Sequence, residues 1–450
     1  MDTARIGILA RRDRLLVMDR QTGHSVFLDS ARSDYLKLAA TPAQDLPQPL
    51  RALRTEVIDE LAEHGLGTEQ RRRPGDLNTI ILKLTNACNY GCTYCYDYES
   101  DESATHLDLS AAQNAVSQAL AISNPGLQVI FHGGEPFLVF DRILKIVAAA
   151  RQEAAILGKQ IVFHGQTNLS LLTEENVRAS EAAGIRWGFS LDGPPDSNAL
   201  RILKNGQGTF ERFENAYRRF PEFVRGCRAM ATITAVNQDR LLDLARFFQS
   251  YGLPGWDWSL FQAIGRGRGL EADLDPHVLI TSWNELLEAV AKGEFDGFAI
   301  SPVLKYLDNF ILGPGHHMCL RRECGAARDL VSISANGQIE ACDCIDPHGP
   351  LAHLGHIGSV PLEAARNSPV AERIRSRDVT QGKCGSCIWL GVCGGTCMAR
   401  SPGLNQVDDL ECAVALNAFD RISMDLAGPR RLLRYFNSCR DPYASRSAFN

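Results

Sequence analysis

The run Leu84-Thr-Asn-Ala-Cys88-Asn-Tyr-Gly-Cys92-Thr-Tyr-Cys95 sets three cysteines as C-x3-C-x2-C directly after an apolar stretch, residues 79–84. That stretch reads as a strand, so the cysteines occupy the loop that leaves it. Cysteine thiolates are the usual ligands of a 4Fe–4S cluster, one to each iron. Three of them hold three irons and leave the fourth open to a substrate or cosubstrate.

Outward from this loop, residues from about 78 to 262 alternate apolar strand candidates with amphipathic stretches. The strands read as 79–84, 127–131, 160–164, 185–191, 228–235 and 256–261, and helical stretches include 110–122, 141–157 and 174–183. Repeated βα units favour a parallel sheet with covering helices. Six such units curl toward a partial barrel, with functional residues at the C-terminal ends of the strands. The cysteine loop, the run Gly133-Gly-Glu-Pro136 and Asp192 all fall at such ends.

The cysteine spacing, with aromatic Tyr94 before the last cysteine, resembles the radical S-adenosylmethionine (SAM) enzymes. The resemblance covers roughly residues 78–300. It implies a partial (β/α)6 barrel in which the open iron chelates SAM. An electron from the cluster then yields methionine and a 5′-deoxyadenosyl radical. It further implies that Gly133, Gly134, Glu135 and Pro136 meet the SAM amino group, and that Thr167, Asn168, Ser190 and Asp192 contact the ribose and methionyl parts. Tyr94 would lie beside adenine, and Arg201 would pair with the SAM carboxylate. The chain departs from the family just before Arg201, where Ser197 and Asn198 replace the usual His-Asp pair and the spacing is shorter by about one residue. A surface arginine at a helix start is the plain alternative for Arg201. His132 reads either as a substrate contact or as a satisfied strand-end residue.

A second cysteine set lies beyond residue 300. Cys324, Gly337 and Cys342 give C-x12-G-x4-C. Cys384, Cys387, Cys393 and Cys397 give C-x2-C-x5-C-x3-C, and Cys412 closes the series. Paired C-x2-C units are also found in zinc ribbons, which stays an alternative. The order resembles the SPASM extension of radical SAM enzymes. That resemblance implies two auxiliary 4Fe–4S clusters, one on Cys319, Cys324, Cys342 and Cys397, the other on Cys384, Cys387, Cys393 and Cys412. With the SAM-binding cluster, three would be present. Cys344 reads as a substitute ligand or a bystander, Cys227 as a buried strand cysteine and Cys439 as a tail cysteine. In this region cysteine and glycine rise, and short pieces with little core are expected. Asp343 matches the carboxylate that serves as catalytic base in sulfatase-maturing members of the group; a loop-capping aspartate is the alternative. The arginines of Gly265-Arg-Gly-Arg-Gly269 suit substrate carboxylates or a basic turn.

Residues 1–75 read as a small α+β, winged-helix-like module. Strand candidates lie over 14–19 and 24–29 around the turn signal Gln21-Thr-Gly, followed by a helix with Leu50, Leu53, Val57 and Leu61 on one face. This pattern, with the ending Leu61-Ala-Glu-His-Gly-Leu66, resembles the recognition elements of pathways that modify ribosomally made peptides. The resemblance implies leader binding by strand addition; a structural cap is the alternative. The charged stretch 69–76 reads as a linker. The expected domains are 1–75, the barrel over 76–300, the SPASM region over 301–427 and a C-terminal tail over 428–450, read as a short helix and a polar end.

The chain has 450 residues, enough for two or three domains. Forty-seven Lys+Arg against 53 Asp+Glu give a net charge of −6 with no large basic block. That argues against nucleic acid or an anionic membrane as partner. No apolar run approaches a membrane span and no secretory signal opens the chain. Fourteen cysteines without a signal point to metal rather than disulfides, and to the cytoplasm. The expected activity is hydrogen abstraction from a precursor peptide, leader plus core, giving a two-electron side-chain modification such as a crosslink. A flavodoxin or ferredoxin would be the reductant. The alternatives are a sulfatase maturase making formylglycine and a non-enzymatic iron–sulfur or zinc protein.

Overall fold

The computed structural model describes residues 5–67, 76–97, 104–270, 274–313 and 315–444. The expected linker lies outside these apart from Asp76, as does the end of the tail.

The chain opens with an antiparallel meander of β1 (Ile6–Arg11), β2 (Arg14–Asp19) and β3 (Ser25–Asp29). Helices Ser33–Ala40 and Gln48–Glu63 follow. The sequence reading lacks β1, whose apolar residues give little signal because they are not fully buried; Ile8 is 42% exposed. Val57 and Leu61 are buried as expected, but Leu50 is exposed, so the buried stripe begins later along the helix. Side chains alternate faces along a strand. In β2 this sends Val17 into a small core with Leu36, Val57 and Leu61, while Leu16 and Met18 enter the main core. The meander is therefore packed on both faces. Arg11 fastens it further: its Nε donates to Ser423 Oγ at 2.7 Å, its guanidinium pairs with Asp420 at 2.5 Å, and it lies over Trp389.

The main sheet has ten strands. They are β4 (Leu77–Lys83), β5 (Ser123–His132), β6 (Gln160–Thr167), β7 (Ile185–Ser190), β8 (Arg228–Ile233), β9 (Gly255–Leu260), β10 (Ala299–Ile300), β11 (Leu330–Ile333), β12 (Gln338–Glu340) and β13 (His353–His356). Their order is β10-β9-β8-β7-β6-β5-β4-β11-β12-β13. Strands β4 to β10 run parallel in chain order, as βα repetition requires, and the sheet stays open. The six expected strands are all present. Local sequence starts the helices between them. Asp108 accepts from the backbone N–H groups of Ser110 and Ala111, and Thr173 forms a capping box with Asn176.

The region beyond residue 300 differs from expectation. β11 adds parallel to the free edge of β4, and β12 and β13 extend it antiparallel. Helices Ser301–Ile311 and Asp409–Leu426 are long rather than short pieces, while the helix expected in 428–450 is Arg431–Ala444. One contiguous apolar core includes residues from Leu16 to Cys439, so this region is not short of core. The signal lay in Val414, Ala418, Phe419 and Ile422, spaced for one helix face and buried in that core. Cys439 is fully buried in a helix rather than free in a tail, and its thiol donates to Phe298 O. Among the described residues no helix is long and apolar enough to cross a membrane.

Candidate functional site

The buried apolar strand β4 delivers the cysteine loop to the C-terminal end of the sheet. Backbone bonds fix that loop to two other segments. Gly91 N donates to Ile202 O at 2.7 Å, Thr93 N to Leu200 O at 3.0 Å and Arg266 N to Cys95 O at 2.9 Å. The Tyr90 amide donates to Cys88 Sγ at 3.4 Å. Burial pushes the Cys88 thiol up to about 11 and Cys95 up to about 12, so these thiols call for a cation to ionise them. Among the described residues Cys88, Cys92 and Cys95 do not meet within the span of a single-ion site. Three thiolates are the donor set of a cluster with one open iron, one thiolate to each of the other three.

The Gly133-Gly-Glu-Pro136 turn locks onto the root of the cysteine loop. Gly134 N donates to Thr85 O at 2.7 Å and Glu135 N to Ala87 O at 2.9 Å. A Cβ on Gly134 would stand 1.9 Å from Ala87 O, so only glycine fits. Glu135 is buried, and both carboxylate oxygens are occupied. Oε1 accepts from Thr167 Oγ1 at 2.7 Å and Phe137 N at 3.1 Å, and Oε2 from Asn168 N at 2.7 Å. Burial pushes its carboxyl up while these donors oppose the shift. Asn168 continues the connection, donating from Nδ2 to Asn89 Oδ1 at 2.8 Å inside the cysteine loop. Ser190 Oγ accepts from Gln166 Nε2 at 2.8 Å.

Tyr94, Asp192 and Arg201 meet in one buried group. Tyr94 OH donates to Asp192 Oδ2 at 2.5 Å and accepts from Arg201 NH1 at 2.8 Å. Arg201 is 8% exposed, not a surface residue, and its buried Nε finds no acceptor among the described residues. A carboxylate ligand would supply one. Asn198 orders the segment that departs from the family pattern: its Oδ1 accepts from Asp192 N at 3.1 Å and its Nδ2 donates to Thr209 Oγ1 at 3.2 Å.

Asp343, three residues past β12, comes to Tyr96, the residue after Cys95; Tyr96 OH donates to Asp343 Oδ2 at 3.4 Å. Beside them, Lys83 Nζ lies 2.7 Å from Asp97 Oδ1 and 3.1 Å from Glu340 Oε2. Burial pushes Asp97 up, but Lys83 and His132 outweigh it and hold the carboxyl below its ordinary value. His132 Nδ1 faces Asp97 Oδ2 at 3.5 Å. Arg268 is engaged within the chain, 2.7 Å from Asp346 Oδ1. Sequence reasoning missed Lys83, Asn89, Tyr96, Asp97, Gln166 and Glu340. The one usable signal was position: Tyr96 and Asp97 directly follow the last cysteine, and Lys83 ends β4.

The C-terminal cysteines form two groups. Cys384, Cys387, Cys393 and Cys412 line one pocket backed by Trp389 and Phe419. Cys319, Cys324, Cys342 and Cys397 are mutual neighbours: burial pushes the Cys397 thiol well up, and Glu411 and the other three thiols add to the shift. Both groups offer four sulfurs, the donor set of a fully ligated cluster. Cys344 stands beside Cys342, and the ligand atoms of Cys342, Asp343 and Cys344 all lie within 4.8 Å of one another.

Residues 82–248 match the family model of the Radical SAM superfamily. They form a radical SAM domain. It begins within β4, carries the cysteine loop, Gly133-Gly-Glu-Pro136, Asp192 and Arg201, and ends within the helix Leu241–Ser250. The chain is 25% identical to the serine-type anaerobic sulfatase-maturating enzyme of Klebsiella aerogenes, over 78% of this chain and 85% of that protein. It is 22% identical to the AdoMet-dependent heme synthase of Nitratidesulfovibrio vulgaris, over 72% and 87%. An uncharacterized protein of Methanocaldococcus jannaschii is 33% identical over 139 residues, 31% of this chain and about half (47%) of that protein. The fold of the radical SAM domain and its surroundings is shared with native anSMEcpe with bound AdoMet, at TM-score 0.68 and 18% identity over 80% of this chain and 99% of that one. Streptococcus suis SuiB bound to precursor peptide SuiA superposes at TM-score 0.57 and 17% identity, over 90% and 98%.

Proposed function

We propose that this chain is a cytoplasmic radical SAM maturase of a ribosomally made peptide. It cleaves SAM reductively and takes a hydrogen atom from one carbon of the peptide, leaving a two-electron oxidative modification, a side-chain crosslink. The observation that carries the reading over its rival is the three-stranded meander and helices ahead of the cysteine loop; either reading uses Asp343, held at Tyr96 next to the last cysteine of the C-x3-C-x2-C loop. Asp343 sets a carboxylate beside the site where SAM would be cleaved. When bound, the clusters and SAM supply a 5′-deoxyadenosyl radical and a path for the electron left on the product. Cys88, Cys92 and Cys95 hold the SAM-binding cluster. Cys319, Cys324, Cys342 and Cys397, and Cys384, Cys387, Cys393 and Cys412, hold two auxiliary ones. Gly133, Gly134, Glu135, Pro136, Thr167, Asn168, Ser190 and Asp192 shape the SAM site, with Tyr94 beside adenine. Arg201 offers its free Nε to the SAM carboxylate. Asp343 takes the substrate proton as general base. The meander and helices of residues 5–67 bind the leader, and a flavodoxin or ferredoxin delivers electrons. The likeness to SuiB, crystallised with its precursor peptide, supports a peptide substrate and extends over 90% of this chain.

A second reading, sulfatase maturation to formylglycine, draws on Asp343 and on the Klebsiella aerogenes relative. One anaerobic experiment tests both. The protein is reconstituted with iron and sulfide, then given SAM, dithionite and either a precursor peptide encoded beside its gene or a sulfatase-derived peptide. About twelve irons per chain, as three four-iron clusters require, 5′-deoxyadenosine, and a precursor peptide lighter by two hydrogens support the maturase. Turnover of the sulfatase peptide alone selects the second reading. Zinc in place of iron, with no SAM cleavage, rejects both in favour of a non-enzymatic metalloprotein.

A further inference from the structure

Five thiols, not four, surround the site that Cys319, Cys324, Cys342 and Cys397 would share. Cys344 is the fifth. The ligand atoms of Cys342, Asp343 and Cys344 all lie within 4.8 Å of one another, and Cys319 and Cys397 neighbour Cys344 as they neighbour Cys342. The two thiols contact one carboxylate oxygen: Asp343 Oδ1 is 3.5 Å from Cys342 Sγ and 3.7 Å from Cys344 Sγ. The backbone presents them as a pair. Ala341 is held on both sides, its amide donating to Ala352 O at 2.9 Å and its carbonyl accepting from Ala327 N at 2.8 Å, and Ile345 N closes a turn on Cys342 O at 3.4 Å. A four-iron cluster takes one thiolate at each of four outward corners. Two sulfurs this close together fill one corner, not two.

We propose that Cys342 and Cys344 are interchangeable fourth ligands of the auxiliary cluster on Cys319, Cys324 and Cys397. Exchange breaks one iron–sulfur bond and forms another. The incoming thiol loses its proton and the outgoing thiolate gains one, with no change in oxidation state. Asp343 Oδ1 touches both sulfurs and holds the two thiols side by side. The ligand not in use remains as a thiol against Asp343. This rests on the reading of the region as a cluster-binding one, and the test separates the two.

Full-length protein and its Cys342→Ala, Cys344→Ala, Cys342→Ala/Cys344→Ala and Cys319→Ala variants are reconstituted anaerobically. Iron and sulfide are counted, and EPR spectra are taken after reduction and after mild oxidation. Each single variant at 342 or 344 keeps the parent iron content. The double variant loses about four irons, or leaves a three-iron remnant visible after oxidation. If Cys342→Ala alone behaves like the double variant, Cys344 is no substitute and the proposal fails. A double variant unchanged in both iron and spectra also overturns it. If Cys319→Ala, too, loses nothing, the cluster reading itself is at fault. Where an alanine variant does not fold, the glycine variant at the same position, which likewise offers the iron no ligand atom, is read in the same way.

Discussion

The hydroxyl of Tyr94 stands 2.5 Å from Asp192 Oδ2, joining the cysteine loop after β4 to the end of β7. The same hydroxyl accepts from Arg201, so one oxygen links three segments distant in sequence. All three side chains are buried. Replacing Tyr94 with phenylalanine leaves a buried guanidinium short of an acceptor and a carboxylate short of a donor. Unsatisfied buried groups cost about 1–3 kcal/mol, more when charged. Tyr94→Phe is expected to lower the melting temperature and to weaken SAM binding about tenfold, about 1.4 kcal/mol. Scanning calorimetry and calorimetric titration under anaerobic conditions check the two in turn; unchanged values would mean that the hydroxyl is incidental.

Glu135 accepts three hydrogen bonds, two of them from backbone N–H groups. Glutamine at this position turns an NH2 group toward donors. We expect Glu135→Gln to destabilise the protein by roughly 1–3 kcal/mol and to abolish detectable SAM binding while Cys88, Cys92 and Cys95 still take up iron. Chemical denaturation and iron analysis of the same sample read the two effects separately.

Asp343→Asn keeps the size of the side chain and its contact with Tyr96 but removes the base. General acid–base groups contribute typically about 10²–10⁴ in rate. The variant should still release 5′-deoxyadenosine and make modified peptide slower by about that factor. Retention of full peptide turnover would assign Asp343 to loop structure.

Gly23 and Gly391 meet back to back where the meander docks on the C-terminal cysteine region. A Cβ on Gly391 would lie 2.2 Å from Gly23 N, and Gly23 has a left-handed φ of +75°. Gly391→Ala is therefore expected to loosen residues 5–67 from the body while the main core persists. Faster amide exchange confined to β1, β2 and the Cys384–Cys393 loop is the signature. Exchange unchanged there would show that the interface gives without opening.

Local pattern sufficed for much of this. Alternating apolar runs and helical spacing gave all six expected parallel strands, because each βα unit carries its own burial period. The glycines of Gly133-Gly-Glu-Pro136 and the three cysteines were legible as chemistry because their spacing is set by what the loop must hold. β1 was not, since a strand with no fully buried face needs no strict alternation. The helix Asp409–Leu426 was overlooked although its apolar spacing is plain, because the cysteines around it suggested loops.

The sequence by itself determined the order of elements, the cysteine sets and the residues available to a SAM site, since those depend on neighbours along the chain. Only the tertiary structure decided which of them meet. That β11 closes on β4, that Asp343 reaches Tyr96, that Arg201 is buried against Tyr94 with a nitrogen to spare, and that Cys344 joins the thiols of Cys319, Cys342 and Cys397 are contacts between segments up to hundreds of residues apart. They are set by how the sheet edge and the shared core bury apolar surface, a property of the whole chain that no local period encodes.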